Sequence, residues 1–258
     1  MVKKRLIAVL IVRDGQVVQS VRFRHTNVIH YDPIHAVDCF SQWDIDELVI
    51  LNVGRQAEGA ADFATVLGRI STKCFVPICA GGWVTSDAYA RELLNSGADK
   101  ICVNTLFHTD PGLAEDLARK YGNQCIVGSM DVKRDADGSV AVWVDRGQKR
   151  LDKTPAEWAR HLEACGAGEI FFNSIDHDGN RGGYNLPVLR DVVAAVGVPV
   201  IAFGGVFDWH HLAEGLDAGA EAVAVANKLH YIEHSARKAK KYLLDAGYQV
   251  RAQEQQVR

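Results

Sequence analysis

Pro77-Ile78-Cys79-Ala80-Gly81-Gly82 and Pro199-Val200-Ile201-Ala202-Phe203-Gly204-Gly205 decide the fold, because they are two copies of one pattern. Gly82 and Gly205 lie 123 positions apart, and the residues that follow each are alike. After the first come Gly97-Ala98-Asp99-Lys100 and Ile101-Cys102-Val103-Asn104; after the second come Gly219-Ala220-Glu221-Ala222 and Val223-Ala224-Val225-Ala226-Asn227. Each copy reads as an apolar strand, a Gly-Gly turn, a helix, a Gly-Ala turn and a second apolar strand ending in Asn. A unit this long, present twice, indicates two fused half-domains and not a repeat array. A Gly-Gly turn between strand and helix lets backbone N–H groups approach an anion closely. Two such turns related by duplication predict two phosphate sites facing one another across a shared pocket.

Outward from these copies, eight short β-rich runs alternate with helical patterns. The expected strands are Leu6–Val12, Glu47–Val53, Val76–Ala80, Lys100–Asn104, Cys125–Asp131, Glu169–Ser174, Val198–Phe203 and Ala222–Ala226. Helix starts are marked by Asp32-Pro33, by Asp110-Pro111, and by Thr154-Pro155-Ala156-Glu157, which combines an N-cap, a first-position proline and a capping-box glutamate. Near-continuous apolar strands alternating with helices mean a parallel sheet, and eight such units with internal twofold similarity predict a closed α/β (β/α)8 TIM barrel. The expected organisation is a single domain over residues 1–258, with half-barrels at about 1–122 and 123–250 and a short polar C-terminal tail.

Composition narrows the function classes. Apolar residues make up 48% of the 258, enough for one large core, and a net charge of −3 gives no electrostatic reason to expect nucleic acid. The basic clusters Lys3-Lys4-Arg5 and Arg237–Lys241 sit beside apolar periodicity and read as solvated element ends. Six widely spaced cysteines, Cys39, Cys74, Cys79, Cys102, Cys125 and Cys165, form no metal or disulfide pattern and suggest buried thiols in a reducing cytosol. Neither a signal peptide nor a membrane span is legible, so the expectation is a cytoplasmic protein with no membrane partner, no metal and no organic cofactor.

Two long inserts, Gly15–Asp32 after the first strand and Lys133–Lys153 after the fifth, occupy equivalent places in the two halves. Each carries a hairpin signal, Asp14-Gly15 and Asp137-Gly138. They fall on the face where barrel enzymes hold substrates, and long loops there are usually lids.

On that face the strand ends read Ile11, Asn52, Gly81-Gly82, Asn104-Thr105, Asp131, Asn173 with Asp176 and Asp178, Gly204-Gly205 and Asn227. Asp131 is the candidate catalytic acid or base; the matching position in the first half is Ile11, so the duplication carries an acid on one side only. The segment Ser174–Tyr184 is a Gly- and Asp-rich loop suited to a binding role. At the opposite end, Arg5, Glu47, Lys100 and Glu169 open strands one, two, four and six and would meet at the barrel base. Such a ring is either a stabilising salt-bridge cluster or a gate for something small.

The chain resembles, over essentially its whole length, the cyclase subunit of imidazole glycerol phosphate synthase. Lys4-Arg5-Leu6-Ile7, Val12-Arg13-Asp14-Gly15, Asp46-Glu47-Leu48-Val49, Gly97-Ala98-Asp99-Lys100, Gln124-Cys125-Ile126-Val127, Ser174-Ile175-Asp176-His177-Asp178-Gly179 and Gly204-Gly205 carry the resemblance. It implies ammonia delivered by a docked glutaminase through a base ring of Arg5, Glu47, Lys100 and Glu169, with Asp99 at the partner contact. It also implies phosphate sites at or beside Gly82, Asn104, Thr105, Asp178, Gly179, Gly205 and Asn227.

Departures are concentrated at the mouth. The family's first catalytic aspartate is Ile11 here, while the second is retained as Asp131. Its substrate-gripping lysine is Gln19; Asn52 replaces an acid, Trp83 a glycine and Asn227 a serine. Ring closure needs one carboxylate as base and another as acid, and losing one should cost on the order of 10²–10⁴ in rate. The resemblance is closest to paralogues associated with surface polysaccharide (lipopolysaccharide O-antigen), which are thought to form an acetamidino group on a nucleotide-linked sugar with a glutaminase and an amidotransferase-like protein. The expectation is therefore such an ammonia-dependent, lyase-type synthase with a phosphate-bearing substrate. The alternatives are an authentic cyclase subunit of histidine biosynthesis and a noncatalytic scaffold or activator of the glutaminase.

Overall fold

In the computed structural model, which describes residues 3–21, 25–42, 44–54 and 59–251, eight parallel strands close on themselves. They are β1 (Arg5–Arg13), β2 (Glu47–Asn52), β3 (Ile78–Gly81), β4 (Lys100–Val103), β5 (Ile126–Arg134), β6 (Glu169–Ser174), β7 (Val200–Phe203) and β8 (Ala222–Val225). Each pairs with the next in chain order, and β8 pairs back to β1 through Arg5 opposite Ala222 to Ala8 opposite Val225. The ring of helices is α1 (Pro33–Gln42), α2 (Gly59–Ser71), α3 (Asp87–Asn95), α4 (Pro111–Tyr121), α5 (Pro155–Ala164), α6 (Leu186–Ala195), α7 (His210–Asp217) and α8 (Ser235–Asp245). This is the (β/α)8 barrel that the duplicated pattern predicts. Single helical turns at Leu106–Thr109 and Asn227–His230 follow β4 and β8, the same place in each half.

The strands are apolar on both sides because both sides are covered. Along β1, Leu6, Ala8, Leu10 and Val12 face the helices, whereas Ile7, Val9 and Ile11 fill the barrel interior. Leu10 is fully buried in the outer layer, and its truncation to alanine should cost about 2–5 kcal/mol. Local signals set the helix starts: the Asp110 side chain accepts from Leu113 N–H, and Thr154 with Glu157 forms both halves of a capping box.

Several boundaries differ from the sequence expectation for identifiable reasons. β3 and β7 begin at Ile78 and Val200, two residues late, because Pro77 and Pro199 have no N–H for the ladder. Both prolines still serve it as acceptors, from Leu48 N–H and Ile170 N–H respectively, at 2.9 Å each. β5 runs past Asp131 to Arg134, because its end pairs with the antiparallel strand Val140–Val144 of the second insert. The first insert forms two strands, Gln16–Val21 and His25–His30, one more than its hairpin signal suggested.

The basic clusters are not simply solvated ends. Lys4 bonds the Ala220 carbonyl and Glu221, Arg5 enters the base ring, and Lys240 is 2% exposed between Asp44 and Asp46. Of the thiols, Cys79, Cys102 and Cys165 are buried while Cys74 and Cys125 are partly exposed; the side chain of Cys39 lies outside the described residues.

Candidate functional site

At the base, four side chains from alternate sides of the barrel form one closed circuit. Arg5 donates from Nη1 to Glu47 and from Nη2 to Glu169, at 2.7 Å each. Lys100 Nζ reaches the remaining oxygens, Glu47 Oε1 at 3.0 Å and Glu169 Oε2 at 2.7 Å. Every carboxylate oxygen is used and the formal charges cancel. Burial works against the charge on Arg5 and Lys100, but the flanking carboxylates outweigh it and raise both pKa values. The aspartate preceding two of these strands is structural: Asp46 Oδ2 accepts from Leu6 N–H and Asp99 Oδ2 from Ile78 N–H, at 2.8 Å each. Asp99 is nevertheless exposed on the outer side of the base.

Above the ring the interior is apolar, lined by Ile7, Val9, Val49, Val127, Ala222 and Ala224 among others, with the thiols of Cys79 and Cys102 in contact. The Cys102 hydrogen bond and burial push the Cys79 thiol well above its ordinary pKa, which keeps it neutral in this apolar interior.

At the mouth, Asp131 on β5 is held from both sides. Asn104 Nδ2, just past β4, donates to its Oδ2 at 3.0 Å, and Asn173 Nδ2 on β6 donates to its Oδ1 at 2.7 Å. Withdrawal from water raises the Asp131 pKa to about 6, and the two amide bonds only partly offset this. A carboxyl poised there can take up and release a proton near neutrality. Ile11 is 2% exposed in the interior cluster, with Val18 of the first insert in the same cluster. Asn52 spends its side-chain oxygen on Gly54 N–H at 2.9 Å.

The two Gly-Gly turns are built alike and used differently. Gly82 and Gly205 both adopt left-handed backbone (φ +110° and +97°), and a Cβ would strike the carbonyl oxygens of Asn52 and Gly183 respectively. Glycine is thus required there by close backbone packing, whatever binds. At the first turn, Trp83 donates its indole N–H to the Gly54 carbonyl at 2.9 Å, and the guanidinium of Arg146 from the second insert lies 5.2 Å over its ring. Beside it, Thr105 Oγ1 accepts from Asp145 N–H of the second insert at 3.0 Å.

The second turn opens on a cavity of about 240 Å³ whose lining includes Asp178, Gly179, Gly205 and Asn227. The first insert is fastened beside it. Ser20 donates to Asp178 at 2.9 Å, Asn227 donates to the Ser20 carbonyl at 3.1 Å, and Tyr231 donates to Gln19 at 2.8 Å. His30 and His230 share a 3.2 Å ring contact behind this wall, where burial lowers the His230 pKa to about 4.

The structure therefore brings the predicted residues into three groups: the base ring, the Asp131–Asn104–Asn173 cluster, and the second cavity. Gly82 belongs to the first turn and Thr105 lies beside it. Sequence reasoning did not single out Arg181, Phe207, Lys228 and Tyr231, which line the second cavity. The aromatic directly after Val206 and the lysine directly after Asn227 were the available signals. His210, His211 and Glu214 place potential ligand atoms within 4.8 Å of one another. The His211 Nδ1 already accepts from Phe207 and Asp208 N–H groups, so the neutral ring carries its proton on Nε2 and neither ring nitrogen has a free lone pair for a cation. No helix among the described residues is long and apolar enough to cross a membrane.

A family model described as histidine biosynthesis protein matches residues 5–235. The match spans the barrel from β1 into the start of α8, and the chain belongs to this family.

Proposed function

From membership of the histidine biosynthesis protein family, we propose that this barrel is an ammonia-dependent synthase fed through its base by a docked glutaminase. The observation that carries the reading is the pairing of a closed four-charge ring below with a single raised-pKa carboxylate above, joined by an apolar interior. Neutral ammonia crosses an apolar passage at little cost, whereas ammonium would face a large desolvation penalty. The ring would admit the neutral molecule when Lys100, held by a flexible stem, swings aside.

The substrate we infer is a nucleotide-linked sugar bearing an acetamido group. Ammonia nitrogen bonds to the activated acetamido carbon, a proton passes to Asp131, and the activated oxygen leaves with its electron pair, giving an acetamidino group. Activation would fall to the amidotransferase-like partner. Ile11 supports this reading over imidazole ring closure, which needs a second acid at that place.

The family's name favours one rival, an authentic cyclase subunit. Complementation of a histidine auxotroph separates them: growth on minimal medium would overturn the sugar reading, and failure to grow together with glutamine-dependent nitrogen transfer to the sugar would support it.

A further inference from the structure

We propose that Lys240 is a positioning residue for the base ring: from α8 it fixes Asp46, and through Asp46 the strand starts that carry Arg5 and Glu47. The placement stands on geometry alone; only its consequence for ammonia rests on the reading above.

The link is short. Asp46 directly precedes Glu47, and Leu6 directly follows Arg5. Two bonds join Asp46 to Leu6: the Asp46 N–H donates to the Leu6 carbonyl at 2.9 Å, and the Leu6 N–H donates to Asp46 Oδ2 at 2.8 Å. The other carboxylate oxygen, Oδ1, accepts from Lys240 Nζ at 2.8 Å. One carboxylate therefore ties the start of β1 to the start of β2, and a lysine from the last helix sets its orientation.

Burial gives that lysine its weight. Lys240 is 2% exposed and Asp46 7%, with Asp44 Oδ1 3.4 Å from the same ammonium. On α8 Lys240 shares the buried stripe of Ala236, Ala239 and Leu243, where an apolar residue would be the ordinary occupant. A buried ion pair is a weak source of stability, because desolvation offsets the attraction. What this one supplies is direction, since both oxygens of Asp46 are then spent. A second clasp in the molecule isolates the part Lys240 plays. Asp99 precedes Lys100 as Asp46 precedes Glu47, and its Oδ2 accepts from Ile78 N–H at the same 2.8 Å. Asp99 is exposed, so water can hold its carboxylate, whereas Asp46 is sealed from water and depends on Lys240.

Glu47 is the ring member that needs such support. Its side chain is 3% exposed, against 12% for Glu169, so solvent can do little to correct its position. Its bonds to Arg5 and Lys100 are 2.7 and 3.0 Å. A slip of about 1 Å at the start of β2 would carry both beyond hydrogen-bond range and open the circuit on that side.

Amide hydrogen exchange of the full chain, followed by NMR, tests the assignment with no substrate or glutaminase present. Lys240→Met keeps the stem and removes the charge. The Leu6 exchange rate divided by that of Ile78 should rise about tenfold, because the start of β1 opens more easily while the Asp99 clasp is untouched. Division by Ile78 removes any general loss of stability, and Lys240→Arg, which keeps the charge, should restore most of the Leu6 protection. If Lys240→Met does not fold, Lys240→Gln, which retains a donor, takes its place with the same ratio expected to rise. A double-mutant cycle reads the ring itself. With positioning, the effects of Lys240→Met and Glu47→Gln overlap, so the double variant's unfolding constant falls about fivefold short of the product of the two single effects. An unchanged ratio of Leu6 to Ile78 exchange, or unfolding constants that simply multiply, would overturn the proposal. Neither result bears on what the barrel makes, which the auxotroph and nitrogen-transfer assays decide.

Discussion

Asn173 stands directly opposite Asp131 in the β5–β6 register and donates to its carboxylate at 2.7 Å, while its own Oδ1 is buried with no hydrogen-bond partner among the described residues. A buried carbonyl left unpaired costs about 1–3 kcal/mol, so the orientation of the Asn173 amide is set by its bond to Asp131 and not by its oxygen. Nδ2 holds Asp131 in place, and Oδ1 faces no donor among the described residues.

Replacing Asn173 with alanine removes a donor that favours the ionised form of Asp131, so the carboxyl pKa rises further above about 6. If Asp131 works as a base, the acidic limb of the pH–rate profile moves to higher pH in Asn173→Ala. A profile that keeps its midpoint while only its height falls would assign Asn173 to packing alone.

The same pKa has a stability consequence of definite sign. Unfolded, the Asp131 carboxyl titrates near 3.8; folded, near 6. The native state therefore binds the proton more tightly, and stability falls as pH rises from about 4 through about 6, by up to roughly 3 kcal/mol. Asp131→Asn carries no such charge. Relative to the wild type it should gain roughly 1–3 kcal/mol between pH 5 and pH 8, measured by denaturant unfolding at each pH. Product formation should be lost while glutaminase binding persists; unchanged product formation would favour a scaffold. A stability difference constant across that range would mean the carboxyl is not shifted.

The barrel was legible from Pro77–Gly82 and Pro199–Gly205 because strand, turn and helix signals agreed in both copies. Its base was legible because Arg5, Glu47, Lys100 and Glu169 open strands, and barrel closure brings strand starts together. The second cavity was not, since Arg181, Phe207 and Lys228 sit on three separate segments, after β6, β7 and β8, whose convergence no local pattern encodes. Lys240 was misread for a related reason: helix periodicity places it in a basic run, but its partners Asp44 and Asp46 are about two hundred residues away in sequence. Glycines 82 and 205 read as anion turns, and the structure adds that backbone crowding alone excludes a side chain at both.

Ile11→Asp tests whether the missing acid can simply be restored. The position is 2% exposed among Val9, Val18 and other apolar groups of the interior cluster. The variant should lose about 2–5 kcal/mol through lost packing and desolvation, and the new carboxyl should titrate well above the usual range. Full stability at pH 8 would reveal a polar site there that the wild-type packing conceals.

Lys100→Ala separates a gate from a brace. Lys100 joins Glu47 to Glu169, so its loss leaves two carboxylates sharing Arg5 alone. The ring is partly solvated, which limits the structural penalty to roughly 1–3 kcal/mol, below the cost of breaking a fully buried pair. A brace would show only this loss of stability, with glutamine hydrolysis and product formation falling together or not at all. A gate predicts a different outcome. Hydrolysis continues, ammonia appears in solution, and the ratio of product to glutamate drops several-fold at a temperature where the variant is fully folded. Lys100→Met gives the control, because it keeps the stem that fills the base and removes only the charge. If the methionine variant holds the wild-type ratio, the charge on Lys100 has no part in passing ammonia and the ring is a structural clasp.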